Sequence, residues 1–128
     1  ARLVQVSVKD SPSIFFKGMT GAVIPVPVAH GEGKVEVQQS HLDNLSSNKV
    51  TSIAYADHKG NQTEEYPANP NGSIDGIAGV TNESGNVTIM MPHPERAFLN
   101  DQYSWSPEDW SHYSPWIRFF LNAREFIK

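Results

Sequence analysis

The sequence predicts a single α/β domain, and three observations support this class. Residues 3–8 alternate apolar and polar side chains, as a half-buried β-strand does. Residues 50–56 form a short apolar and β-branched run that is typical of a buried strand. Near the end of the chain, apolar residues recur at helical spacing over residues 116–127. The length of 128 residues fits one modest domain with its own core.

The other elements follow from the same kinds of pattern. Further strands are predicted at residues 22–29, 77–81 and 87–91, a short helix at 38–47, and turns at 10–13, 57–61 and 66–73. Pro25 and Pro27 cannot donate to a sheet ladder, so the strand at 22–29 is expected at an edge or to be irregular. The strands at 77–81 and 87–91 flank a polar loop and should pair as a hairpin.

The last segment predicts the clearest helix. Ser114 can cap it, and Pro115 suits its first turn. Its apolar face is expected to pack into the core and consists of Trp116, Phe119, Phe120, Ala123, Phe126 and Ile127. The opposite, polar face is expected to carry Arg118, Asn122 and Glu125.

The strongest functional motif is Pro92-His93-Pro94-Glu95, directly after the last predicted strand. Each proline disfavours helix at the residue before it, so the backbone of this motif should be extended. In extended chain His93 and Glu95 lie on one side, with Cα atoms roughly 6.5 Å apart. The carboxylate can then orient the imidazole, which forms the base and orienter half of a nucleophilic triad. The spacing alone also fits a turn with a surface His and Glu.

The sequence offers no attacking residue for this base. It contains no cysteine, which also excludes disulfides and thiolate metal sites, and no serine stands in a Gly-x-Ser-x-Gly elbow. The five histidines lack metal-ligand spacing, so no metal site is predicted, and Gly31-x-Gly33 is too short for a dinucleotide fingerprint. We therefore expect the nucleophile on a part of the protein that this sequence lacks, and interpret the sequence as a piece of a longer chain.

Several stretches resemble the class I glutamine amidotransferases, in particular the C-terminal glutaminase domain of the large single-chain phosphoribosylformylglycinamidine synthases. They are residues 10–19, 29–33, 66–73, 90–96 and 114–116, and the resemblance covers essentially the whole chain. It implies that residues 1–128 are the C-terminal part of a flavodoxin-like α/β glutaminase domain. The missing N-terminal part would carry the nucleophile in a Gly-x-Cys-x-Gly elbow. The resemblance further implies that His93 and Glu95 complete a Cys-His-Glu triad.

The resemblance also implies substrates, cofactors and partners. His30, Gly31 and Glu32 are the candidate contacts to glutamine. Ammonia would pass to a synthetase domain of the same polypeptide, where ATP and Mg²⁺ drive formation of formylglycinamidine ribonucleotide in cytoplasmic purine biosynthesis. The parent protein is thus expected to be an ATP-dependent C–N ligase with glutamine as nitrogen donor. The chain itself is expected to bind no cofactor and to be inactive alone, because it has no cysteine.

Two alternatives remain open from the sequence. The chain could belong to the separate small glutaminase subunit of a split synthase, although residues 105–116 and the aromatic C-terminal helix favour the single-chain form. It could also be a non-catalytic docking module with an amidotransferase fold, against which the retained His93 and Glu95 argue. The net charge of -4 and the dispersed basic residues predict no nucleic-acid binding. The apolar runs are far shorter than the roughly 20 residues of a membrane span.

Overall fold

The computed structural model describes residues 1–29 and 33–128. They form one five-stranded sheet, in the order β2-β1-β3-β4-β5, with two α-helices, which confirms the predicted α/β class. The strands are β1 Arg2–Val8, β2 Val23–Val28, β3 Thr51–Ala56, β4 Ile77–Thr81 and β5 Thr88–Met90, and the helices are α1 Gln39–Ser47 and α2 Ile117–Phe126. No helix among the described residues is long and apolar enough to cross a membrane.

The sheet is antiparallel at each of its four strand pairings. Since β2 and β3 both run antiparallel to the strand between them, they run in the same direction and are joined across β1 by the segment that contains α1. The connection is a split βαβ unit. The predicted helix at 38–47 and the predicted strand at 50–56 are both confirmed, each with a one-residue difference at its start.

The two faces of the sheet are covered unequally. On the inner face, which packs against α2, Val4, Val6 and Val8 are buried, whereas Leu3 and Gln5 between and before them are exposed. This face forms the core together with buried aromatic and apolar residues from outside the sheet, namely Phe16, Met19, Ala97 and Trp116. On the outer face, Ser7 of β1 and Ala54 and Ala56 of β3 are also buried, whereas α1 contributes no buried residue.

The strand β2 lies at one edge of the sheet, as its prolines predict. Pro25 is opposite Gln5 and Pro27 is opposite Leu3 in the pairing with β1. A proline there has no N–H to offer, while its carbonyl oxygen stays available as an acceptor. The edge strand therefore presents acceptors without matching donors at these two residues.

The predicted hairpin between β4 and β5 is confirmed, with Val80 opposite Ile89. Its loop lies against the start of the chain, where the Ile14 N–H donates to the Gly85 carbonyl oxygen at 2.9 Å. Gly85 has φ +77°, and a Cβ atom on it would lie 1.9 Å from the Pro12 carbonyl oxygen. Only glycine fits this close approach, so the hairpin tip is fixed by a sterically demanding contact.

The loop at residues 66–73 is irregular, as its composition predicts, and it is organised by the fully buried Asn69. The Asn69 amide donates to the carbonyl oxygens of Thr63 and Ser73 at 3.2 and 2.9 Å and accepts from the N–H groups of Gly72 and Ser73. The Ser73 hydroxyl in turn accepts from the Val35 N–H at 3.0 Å. The loop thereby anchors the segment that leads into α1.

The helix α2 differs from its prediction in one important respect. Its first turn is tight: the Ser114 hydroxyl accepts from the Trp116 N–H at 3.2 Å, and regular α-helix begins at Ile117. Asn122, predicted on the outward polar face, is 4% exposed and donates to the carbonyl oxygens of Phe15 and Lys17, both at 2.9 Å. Conversely, Phe120, Phe126 and Ile127 of the predicted core face are exposed.

Candidate active site

The chain crosses one end of the sheet directly after β5. The Met91 N–H donates to the carbonyl oxygen of Ala78, a residue of β4, at 3.1 Å. Two residues later, the His93 N–H donates to the Pro27 carbonyl oxygen at 2.9 Å, on the opposite edge strand β2. His93 therefore lies just past the end of β5, as predicted, with its backbone fixed to the far edge of the sheet.

The structure brings His93 and Glu95 together. The His93 Nδ1 atom lies 2.7 Å from Glu95 Oε1, a short hydrogen bond in which the ring N–H donates to the carboxylate. The backbone conformation differs from the extended one that was predicted, because residues Pro94–Arg96 form a 3-10 turn. The Arg96 N–H closes this turn on the His93 carbonyl oxygen at 3.0 Å. The carboxylate reaches the imidazole because the backbone turns, and not because alternate side chains of an extended strand point the same way.

The electrostatics of the pair favour an ionised carboxylate. Partial burial raises the pKa of Glu95, but the hydrogen bond from His93, together with backbone contacts and the charges of His93 and Arg96, outweighs burial and holds this pKa below its ordinary value. The side chain of His93 is 32% exposed. With Nδ1 held by Glu95, Nε2 is the ring nitrogen that can exchange a proton with a group approaching from outside.

Two aromatic side chains hold the edge strand β2, to which the His93 N–H is bonded; the sequence analysis did not name Tyr103 and placed Trp116 on the core face of the C-terminal helix. Tyr103 and Trp116 donate to the same acceptor, the Pro25 carbonyl oxygen, from Oη at 2.7 Å and from Nε1 at 2.9 Å. Burial raises the pKa of Tyr103 to about 12, so its hydroxyl remains a donor at any ordinary pH. In the sequence, this contact was indicated only by the two prolines of β2, because prolines in an edge strand have carbonyl acceptors without matching N–H donors.

The predicted glutamine contacts His30, Gly31 and Glu32 lie outside the described residues and stay predictions. The next residue, Gly33, has φ +118° and packs against the Met91 thioether so closely that a Cβ atom would lie 1.8 Å from Sδ. Among the residues that the structure describes, no group of three or more His, Asp or Glu side chains is arranged to hold a metal ion.

A histidine hydrogen-bonded to a carboxylate at the end of a sheet is an arrangement that occurs in enzymes that activate a nucleophile with a triad. The sequence profile of the CobB/CobQ-like glutamine amidotransferase domain matches residues 1–127. The chain therefore belongs to this family of glutamine amidotransferase domains.

The fold is similar to that of a chain in the structure of PurLQS from Thermotoga maritima, with a TM-score of 0.63 and 28% sequence identity. The match covers 99% of this chain and 47% of that chain, so this chain spans about half the length of its structural relative. The family match and this relative confirm the sequence resemblance to the glutaminase domain of a phosphoribosylformylglycinamidine synthase.

Proposed function

We propose that this chain supplies the general base and its orienting carboxylate to a glutaminase that hydrolyses glutamine to glutamate and ammonia. The observation that carries the proposal is the 2.7 Å contact between His93 Nδ1 and Glu95 Oε1 in a chain of the glutamine amidotransferase family. Glu95 holds the imidazole in the tautomer whose Nε2 can accept a proton. The nucleophile is a cysteine from outside these 128 residues.

In this reaction His93 takes part in four proton transfers. It accepts the thiol proton as the cysteine sulfur attacks the side-chain amide carbon of glutamine. It then returns that proton to the departing ammonia as the C–N bond breaks and a thioester forms. Finally it deprotonates the water that attacks the thioester and gives this proton to the sulfur as the C–S bond breaks, which releases glutamate and regenerates the thiol. Glu95 stabilises the imidazolium in each charged stage.

We infer further that the ammonia serves a phosphoribosylformylglycinamidine synthase. The resemblance of five sequence stretches and the structural likeness to a PurLQS chain support this assignment. In such an enzyme a synthetase domain uses ATP and Mg²⁺ to convert formylglycinamide ribonucleotide to its amidine, which makes the parent protein a C–N ligase of cytoplasmic purine biosynthesis. No step of the proposal uses ATP or a metal on this chain.

The test is to replace His93 and Glu95 separately by alanine in the complete synthase. Glutamine-dependent synthesis should fall by roughly 10²–10⁴-fold for His93→Ala, the usual contribution of a general acid–base group. Ammonium-dependent synthesis should survive, because only the supply of ammonia is lost. The control is His58→Ala, which replaces an exposed histidine of the turn after β3 and should leave both activities unchanged. Equal loss with both nitrogen sources in a folded protein would show that the assigned roles are wrong.

A further inference from the structure

The turn that bears the His–Glu pair is bonded at both ends to distant segments of the chain. At its start, the His93 N–H donates to the Pro27 carbonyl oxygen of β2 at 2.9 Å. At its end, the Ala97 N–H closes the turn on the Pro94 carbonyl oxygen at 3.0 Å. The Ala97 carbonyl oxygen accepts a hydrogen bond from the Ser114 hydroxyl, and both of these residues are buried. The second anchor of the turn is therefore shielded from solvent.

The position of Ser114 is set by backbone pairing. Its N–H donates to the Phe98 carbonyl oxygen at 2.9 Å, and Leu99 lies opposite Tyr113 in an isolated β-bridge. The Ser114 hydroxyl also accepts from the Trp116 N–H at 3.2 Å. The hydroxyl thus both donates and accepts, which satisfies its hydrogen-bonding groups in a buried place. Ser114 is therefore fixed beside the end of the turn.

The two anchors of the turn are also joined to each other. Trp116, two residues after Ser114, donates from Nε1 to the Pro25 carbonyl oxygen at 2.9 Å. Pro25 is two residues before Pro27, the acceptor for His93, on the same strand. These bonds and the chain between them form a closed ring that runs from the turn to β2, to the start of α2 and back. A change at Ser114 therefore alters the constraint on the whole turn.

We propose that Ser114 is a positioning residue for the glutaminase reaction, because its hydroxyl fixes the end of the turn that places the His93 imidazole. The inference rests on the proposed function, in which Nε2 of His93 exchanges protons with groups from outside this chain. A misplacement of about 1 Å can cost about 10²-fold in the rate of such a step. Without the hydroxyl, the buried Ala97 carbonyl group loses its donor and the turn loses one of its two anchors.

The experiment measures glutamate release during turnover of the complete synthase. Ser114→Ala should lower kcat by about tenfold or more, since the imidazole is no longer held in place. The KM for glutamine should not change, because a buried hydroxyl does not contact substrate. Ser114→Thr, which keeps the hydroxyl, should restore most of kcat. Ammonium-dependent synthesis should survive in each variant, since it does not use His93.

The matched control is Ser13→Ala. Ser13 is another buried serine, and its hydroxyl makes a 2.7 Å hydrogen bond to the Thr88 hydroxyl instead of to the turn. This variant should leave kcat and KM for glutamine unchanged. Equal losses of kcat in Ser13→Ala and Ser114→Ala would attribute the effect to general destabilisation and overturn the proposal. A Ser114→Thr protein as slow as Ser114→Ala would overturn it as well.

A second measurement asks whether Ser114 acts through His93. In a protein that already carries His93→Ala, Ser114→Ala should cause no further loss of the residual glutamate release, because the imidazole that it positions is gone. A further loss as large as that in the wild-type background would overturn the proposal. Full glutamine-dependent activity in His93→Ala would reject the proposed function and this inference together. Loss in His93→Ala beside unchanged kcat in Ser114→Ala would reject only this inference.

The ring can also be opened at another bond, which keeps the proposal testable if Ser114→Ala does not fold. The double variant Tyr103→Phe, Trp116→Phe removes both donors to the Pro25 carbonyl oxygen and retains two aromatic rings. It should lower kcat for glutamate release at unchanged KM for glutamine. Wild-type kcat in this variant would show that the ring does not position the imidazole, and would overturn the proposal.

Discussion

His93 and Glu95 are positioned almost entirely by backbone geometry. The N–H of His93 is bonded to the edge strand β2, its carbonyl oxygen closes the turn with Arg96, and buried Pro92 and Pro94 flank the imidazole residue. Proline on both sides restricts the backbone before substrate is present. The backbone of this His–Glu pair is therefore restrained, while both side chains are partly exposed.

The lowered pKa of Glu95 makes its contribution to stability dependent on pH. A carboxyl whose pKa is lower in the folded protein than in the unfolded chain stabilises the fold above the unfolded value, about 4.3, and this stabilisation is lost as the pH falls through the folded value. The gap in Tm between the wild-type chain and Glu95→Gln should thus be full at neutral pH and close in acid. Thermal unfolding from pH 7 to pH 3 measures it; a gap that widens in acid would contradict the assigned cause.

Asn122 decides how α2 attaches to the rest of the molecule. Its side-chain amide donates hydrogen bonds to two carbonyl oxygens in the segment after β1. A polar residue therefore occupies a buried position at which an apolar residue such as leucine would otherwise be expected. Asn122→Leu should reduce the free energy of unfolding by about 1–3 kcal/mol, because the carbonyl groups of Phe15 and Lys17 lose their donor.

Denaturant unfolding is the measurement for Asn122→Leu, and Arg124→Leu on the exposed side of α2 is the matched control. The control should stay within about 0.5 kcal/mol of wild type. Similar losses in the two variants would mean that leucine is poorly tolerated anywhere on this helix, and that the hydrogen bonds of Asn122 are not the reason.

The carbonyl oxygens of Pro25 and Pro27 join the edge strand β2 to later parts of the chain. Pro25 accepts from Tyr103 and Trp116, and Pro27 accepts from the His93 N–H. Tyr103→Phe removes one of the two donors to Pro25 and should reduce the free energy of unfolding by about 1 kcal/mol. It should also accelerate hydrogen exchange of the His93 amide, which bonds to the neighbouring acceptor. Tyr113→Phe, at a half-exposed tyrosine, is the control. Unchanged His93 exchange in Tyr103→Phe would show that the two contacts are independent.

The 128 residues span about half the length of their structural relative. They contain a core and an imidazole hydrogen-bonded to a carboxylate, but no cysteine. The chain alone should hydrolyse no glutamine above the uncatalysed rate, because no thiolate is present to form the thioester. A glutamate-release assay on the purified chain tests this, and turnover that is lost in His93→Ala would refute the requirement for an external cysteine.

Much of the fold could be predicted because its signals are local. Alternation in β1, the prolines of β2 and the polar loop before β5 act within a few residues of one another, and all three gave the correct element. The prediction for Asn122 was wrong because helical spacing sorts side chains by polarity alone. Spacing contains no information about which carbonyl groups from elsewhere in the chain will face a helix and need a donor.

By itself, the sequence determined the α/β class, the hairpin that delivers His93, the lack of an attacking residue and the resemblance to a glutamine amidotransferase. The tertiary structure decided how the base is held: by a turn at Pro94–Arg96, and by donors from distant segments that meet the carbonyl oxygens of an edge strand. These features depend on hydrogen bonds between groups that are far apart in the sequence. Such groups come within bonding distance only when the chain packs into its tertiary structure.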